Sequence, residues 1–120
     1  MKKILIVEDI DLNIDLLTQI LEDDYELIVA RDGAQGVALA VEHRPDAIVM
    51  DMSLPIIDGW EATRRIRANE VTKDISIIGL SAHAMSGDAD KAITAGCSAY
   101  LTKPIDDMLL LKKLSELLGA

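Results

Sequence analysis

Residues 49–60 read VMDMSLPIIDGW. An apolar run ends on the carboxylate of Asp51, and Ser53, Pro55 and the Asp58-Gly59 pair follow it as turn-forming residues. Taken alone, the stretch describes a strand entering a shaped loop, with one turn toward Pro55 and another at Asp58-Gly59. The acid at the strand end gains meaning only from what the rest of the chain places beside it.

Working outward, four more apolar runs accompany Ala47–Met50: Ile4–Val7, Leu27–Ala30, Ile75–Leu80 and Ala99–Leu101. Ile4–Val7, Leu27–Ala30 and Ala47–Met50 lack polar alternation, the pattern of strands buried on both faces. Amphipathic segments separate the runs. Ile14, Leu17, Ile20 and Leu21 share one helical stripe, as do Val37, Ala40 and Val41 behind the Asp32-Gly33 turn. Further helices are expected over Glu61–Arg67, Asp88–Ala95 and Met108–Leu118, the last opened by Asp106 or Asp107. Strand and helix alternating at this spacing predict a flavodoxin-like α/β fold: a doubly wound, five-stranded parallel sheet of order 2-1-3-4-5, five helices and right-handed crossovers. No linker or repeat interrupts the chain, so a single domain over 1–120 with no effector domain is expected.

The chain has 120 residues, half of them hydrophobic, with aliphatics dominant and no Phe, enough to bury a core without staples. A formal charge of −9 argues against nucleic acid, which needs clustered Lys and Arg, and against an anionic membrane surface. Cys97, the lone cysteine, forms no intramolecular disulfide and reads as a small core residue. The opening MKKILIVEDI has too few apolar residues for a signal-peptide core, and no stretch approaches a membrane span, so a cytoplasmic location is expected.

In a doubly wound sheet, ligands bind beyond the carboxyl ends of the strands, where strand order reverses. At those ends stand Glu8-Asp9, Asp51, Ser81 and Lys103-Pro104. Order 2-1-3-4-5 makes the first and third strands neighbours and brings Glu8, Asp9 and Asp51 together. Two carboxylates 4 Å apart repel by about 4 kcal/mol at an effective dielectric near 20, so a cation or a proton is required. Hard oxygens with no His or Cys nearby favour Mg²⁺, which readily shares a phosphate. With Lys103 and the Ser81 hydroxyl alongside, the set suits a phosphoryl group carried on Asp51.

Four segments in this order, ILIVED at 4–9, VMDMSLPIIDG at 49–59, GLSAHA at 79–84 and YLTKPI at 100–105, resemble the CheY-like receiver domain of two-component response regulators along the whole chain. The AHAM segment and the GCSAYLTKPI ending are similar to stand-alone DivK-type regulators and to the receivers of hybrid kinases. The resemblance implies that Asp51 accepts a phosphoryl group from a sensor histidine kinase or a histidine phosphotransfer protein. It implies that Asp9, Asp51 and the backbone carbonyl of Ser53 bind Mg²⁺, with Glu8 acting through a coordinated water. Lys103 would pair with Asp51 and then with the phosphate; Ser81 would follow the phosphate inward and Tyr100 would change rotamer as the switch. A cis bond before Pro104 would aim Lys103. Output would pass to a separate protein at the helix 4, strand 5, helix 5 face, making the chain a signalling protein rather than an enzyme. Glu8 and Ser81 stand where Asp and Thr are also familiar, and Ser53 and His83 line the family's path for hydrolytic water.

Two alternatives belong to other classes. An aspartate-nucleophile phosphatase or phosphotransferase of the haloacid-dehalogenase type has a second Asp two residues after the nucleophile, where this chain has Ser53, and its nucleophile follows the first strand. A receiver that binds partners without phosphorylation has no need of the complete acceptor set. Gly33 and Gly36 make no dinucleotide fingerprint. Asp88 and Asp90 suit a helix first turn, His43 and His83 are too far apart in the pattern to share a metal, and Trp60 covers the start of the third helix.

Overall fold

The apolar runs become strands because Val, Ile and Leu fill a sheet covered by helices on both faces. A computed structural model describes residues 1–82 and 88–119, without the side chains of Asp88, Ala89 and Ala92; His83 therefore lies outside the described residues. The element order is β1 (Lys3–Val7), α1 (Asp11–Leu21), β2 (Glu26–Ala30), α2 (Gly33–His43), β3 (Ala47–Asp51), α3 (Gly59–Ala68), β4 (Ser76–Ser81), α4 (Asp88–Ala95), β5 (Ala99–Thr102) and α5 (Asp107–Leu118). The sheet runs β2-β1-β3-β4-β5 and every pairing is parallel, the order and fold class expected from the sequence.

Side chains alternate across the strands into two cores. Leu5 and Val7 of β1 join Ile48, Met50, Ala62 and Ile66 under α2 and α3. Ile4 and Ile6 join Leu17, Leu21, Leu110 and Leu114 under α1 and α5. Leu27–Ala30 departs from the expected double burial. As the sheet edge, β2 pairs with β1 alone, so Glu26 and Val29 are exposed and only Ala30 is fully buried. Cys97 is the expected core residue, and burial pushes its thiol pKa up.

Helix starts follow the turn acids. Asp32 accepts from the Gln35 amide at 2.7 Å, Asp58 from Glu61 at 2.9 Å and Asp106 from Leu109 at 3.1 Å. Asp106 is thus the cap of α5, with Asp107 in its first turn. The loop after β3 is gripped by two helix-opening glycines. A Cβ on Gly33 would lie 1.9 Å from the Ile57 carbonyl oxygen, and one on Gly59 would lie 2.3 Å from that of Asp51. Within this loop Ile56 is exposed and sits at φ 67°, a left-handed conformation that opposes a β-branched side chain.

Two stability outcomes follow. Leu17→Ala opens a cavity in a fully buried position and should cost about 2–5 kcal/mol in urea unfolding, whereas Leu12→Ala on the exposed side of α1 should stay within about 0.5 kcal/mol. Ile56→Asn should gain about 1 kcal/mol in the same assay, because Asn tolerates the left-handed region.

Candidate metal and phosphoryl site

The parallel register of β1 and β3 pairs Val7 with Met50, so the residues that follow emerge side by side at the carboxyl edge. Glu8, Asp9 and Asp51 consequently offer oxygens that all lie within 4.8 Å of one another. Glu8 is fully buried and Asp51 is 3% exposed, while Asp9 is partly exposed. The Glu8 carboxylate accepts the amides of Asp9 at 2.9 Å and Ile10 at 3.3 Å, and takes the Lys103 ammonium at 3.1 Å. Lys103 Nζ lies 3.6 Å from Asp51 Oδ1, which also accepts the Ser53 amide at 3.1 Å.

The Lys103–Asp51 pair is the one the resemblance implied, and the pair with Glu8 comes in addition to it. Lys103 is closer to Glu8, the deepest acid and the one with most to lose from an uncompensated charge. Asp9 has the opposite condition: its Oδ1 is buried and has no hydrogen-bond partner among the described residues. Three carboxylates against one ammonium leave two negative charges unbalanced, which is the charge of one divalent ion. An orphaned carboxylate oxygen in an all-oxygen cluster fits Mg²⁺. Asp9 and Asp51 are the acids best placed to hold it directly, since Glu8 is already occupied.

The other elements arrive where the sheet delivers them. Ser81, 5% exposed, ends β4 on register with Thr102, and its carbonyl accepts the Lys103 amide at 2.7 Å. The Lys103-Pro104 bond is cis, as expected. Tyr100 is half-buried on the α2–α3 side of the sheet, packed against that core. Ser53 is an exposed loop residue whose amide faces Asp51. His43 is exposed at the end of α2.

Sequence reasoning did not single out a group of apolar side chains on the elements that flank the site. Ile10, Leu12, Leu16, Met108 and Leu109 are all exposed. The signal was present, since Leu12 and Leu16 fall off the buried stripe of α1. Arg31 at the end of β2 pairs with Asp11 at the start of α1.

Fold and site together define a flavodoxin-like domain with an acidic cleft at its switch point. The response regulator receiver domain family matches residues 4–115. The chain is 38% identical over 119 residues to the polar-differentiation response regulator DivK of Brucella anthropi, covering 98% of this chain and 97% of that one. It is similar, at a TM-score of 0.92 and 38% identity, to the receiver domain of the sensor histidine kinase PA1611 from Pseudomonas aeruginosa, whose crystal structure has a magnesium ion coordinated in the active site cleft; the match covers 99% of this chain and 98% of that one. A third likeness, at a TM-score of 0.89 and 31% identity over 97% of this chain and 88% of the other, is to the co-crystal structure of the Saccharomyces cerevisiae histidine phosphotransfer protein Ypd1 with the receiver domain of its downstream response regulator Ssk1. The chain belongs to the response regulator receiver domain family and is a receiver domain of two-component signalling.

The unbalanced charge gives a direct test. Asp9→Asn should stabilise the metal-free chain by at least about 1 kcal/mol through relief of repulsion. Mg²⁺ should raise the unfolding temperature of the unmodified chain and leave that of Asp9→Asn unchanged, as scanning calorimetry measures. An Asp9→Asn chain that keeps the full Mg²⁺ response would remove Asp9 from the ligand set.

Proposed function

We propose that residues 1–120 act as one receiver unit in which Asp51 accepts a phosphoryl group from a histidine kinase or a histidine phosphotransfer protein, and that the acyl phosphate changes which protein the unit binds. The observation that carries this reading is the site's charge pattern: Asp51 stands between an ammonium already shared with Glu8 and an acid, Asp9, with an unsatisfied buried oxygen.

An Asp51 carboxylate oxygen attacks the phosphorus of the donor's phosphohistidine; the new O–P bond forms as the P–N bond breaks and the imidazole departs. Asp9, Asp51 and the Ser53 carbonyl would hold Mg²⁺, with Glu8 acting through water, and the bound ion would supply the charge balance that lets an anionic group approach. Lys103 then follows the new charge with little movement, because its Nζ already lies 3.1 Å from Glu8 and 3.6 Å from Asp51. The Ser81 hydroxyl donates to a phosphoryl oxygen, and the side chain of Tyr100 turns into the space that Ser81 vacates. These shifts favour a population with a remodelled α4–β5–α5 face, where the output protein binds.

The donor is read as a protein because exposed apolar side chains flank the site on α1 and α5. The magnesium in the PA1611 receiver and the Ypd1–Ssk1 complex support the same assignment by likeness. The chain's charge of −9 speaks against nucleic acid, and no helix among the described residues is long and apolar enough to cross a membrane. The reading assigns a phosphoacceptor that assists its own phosphorylation and dephosphorylation rather than an enzyme acting on free substrates.

Incubation with acetyl phosphate and Mg²⁺ should label the unmodified chain and leave Asp51→Asn at background. Labelling of Asp51→Asn at the unmodified level would overturn the assignment.

A further inference from the structure

Away from the acids, Arg67 and Trp60 of α3 make polar or cation–π contacts with the exit loop of α4 and with α4 itself, among the described residues. Arg67, in the last turn of α3, donates from Nε to the Gly96 carbonyl at 2.8 Å and from Nη1 to the Lys73 carbonyl at 2.9 Å, fixing the loop where α4 exits. Burial pulls the Arg67 guanidinium below its ordinary pKa. Its hydrogen bonds are charge-assisted and partly shielded from water, so this end is held hard. Nearer the other end of α4, Lys91 Nζ lies 4.7 Å from the centre of the Trp60 ring. Lys91 is exposed and Trp60 half-buried, so this cation–π contact is the weaker of the two attachments and yields first.

Trp60 is also tied to the site. It follows Gly59, whose amide donates to the Met52 carbonyl at 3.2 Å and whose Cα approaches the Asp51 carbonyl so closely that no Cβ fits. Its ring packs against the core that includes Met52 and Leu54. The backbone at 51–52 thus contacts the first turn of α3, and the ring that follows contacts the Lys91 ammonium of α4.

We propose that the Lys91–Trp60 contact is a latch that favours the α4 position belonging to a free Asp51 carboxylate. It forms a second route from Asp51 to α4, separate from Ser81 and Tyr100. The latch rests on the reading of Asp51 as phosphoacceptor. Coupling is reciprocal: a contact that favours the free-carboxylate arrangement weakens binding of a phosphoryl group or its analogue by the same factor.

The test is calorimetric titration with beryllofluoride at saturating Mg²⁺. Lys91→Met keeps the side-chain stem but removes the charge, and should bind beryllofluoride about two- to fivefold more tightly than the unmodified chain. Lys91→Arg should bind as the unmodified chain does. Lys112→Met on α5 removes the same charge from an exposed position elsewhere and should also leave binding unchanged. Trp60→Leu should give the same gain as Lys91→Met, and the double variant no further gain. Equal or weaker binding by Lys91→Met, an equal gain from Lys112→Met, or full additivity in the double variant would overturn the latch while leaving Asp51 as phosphoacceptor. An unmodified chain that binds no beryllofluoride would overturn the phosphoacceptor reading and the latch with it.

Discussion

The rest of the site depends on the ion pair between Glu8 and Lys103. A carboxylate as deeply buried as Glu8 loses several kcal/mol of hydration. Two backbone amides and one ammonium offset that cost. The pair also joins the ends of strands that are not neighbours, because β3 and β4 lie between β1 and β5. Lys103 must therefore reach over the edge of the sheet, which places its ammonium beside Asp51. The partner that makes Glu8 tolerable is the same group that can follow a charge developing on Asp51.

Parallel topology is what makes this economical. Every strand presents its carboxyl end to the same edge, so the last residues of β3 and β4 and short extensions of β1 and β5 suffice to deliver Asp51, Ser81, Glu8, Asp9 and Lys103. Two close backbone approaches, at Gly33 and Gly59, hold the loop after β3 against α2 and α3. The loop is thus part of the helix layer rather than a free tether. Arg67 performs the corresponding task at the opposite end of the sheet, tying α3 to the loops before β4 and before β5.

Much of this was legible before the structure. Runs of Ile, Val and Leu broken by amphipathic stripes specify a doubly wound sheet, and the acids at strand ends converge once β1 and β3 are neighbours, as in order 2-1-3-4-5. The exposure of β2 was not legible, because LIVA reads as buried whether or not a second neighbour and both helix layers cover it. The preference of Lys103 for Glu8 was also hidden. Residue order brings a lysine and three acids to one edge, but relative depth decides which acid needs it most. The apolar side chains flanking the site, the contact of Lys91 with Trp60 and the carbonyl clamp of Arg67 depend on which helix faces meet. Single-residue patterns do not carry that information.

The central claim is that this buried charge arrangement makes Asp51 a Mg²⁺-dependent phosphoacceptor. The most direct measurement treats the phosphodonor-incubated chain with borohydride, which reduces an aspartyl phosphate to homoserine, and locates the product by peptide mass spectrometry with and without Mg²⁺. The account predicts homoserine at position 51 alone, formed only when Mg²⁺ is present. Modification at another residue, or equal modification of Asp51 in metal-free buffer, would contradict it.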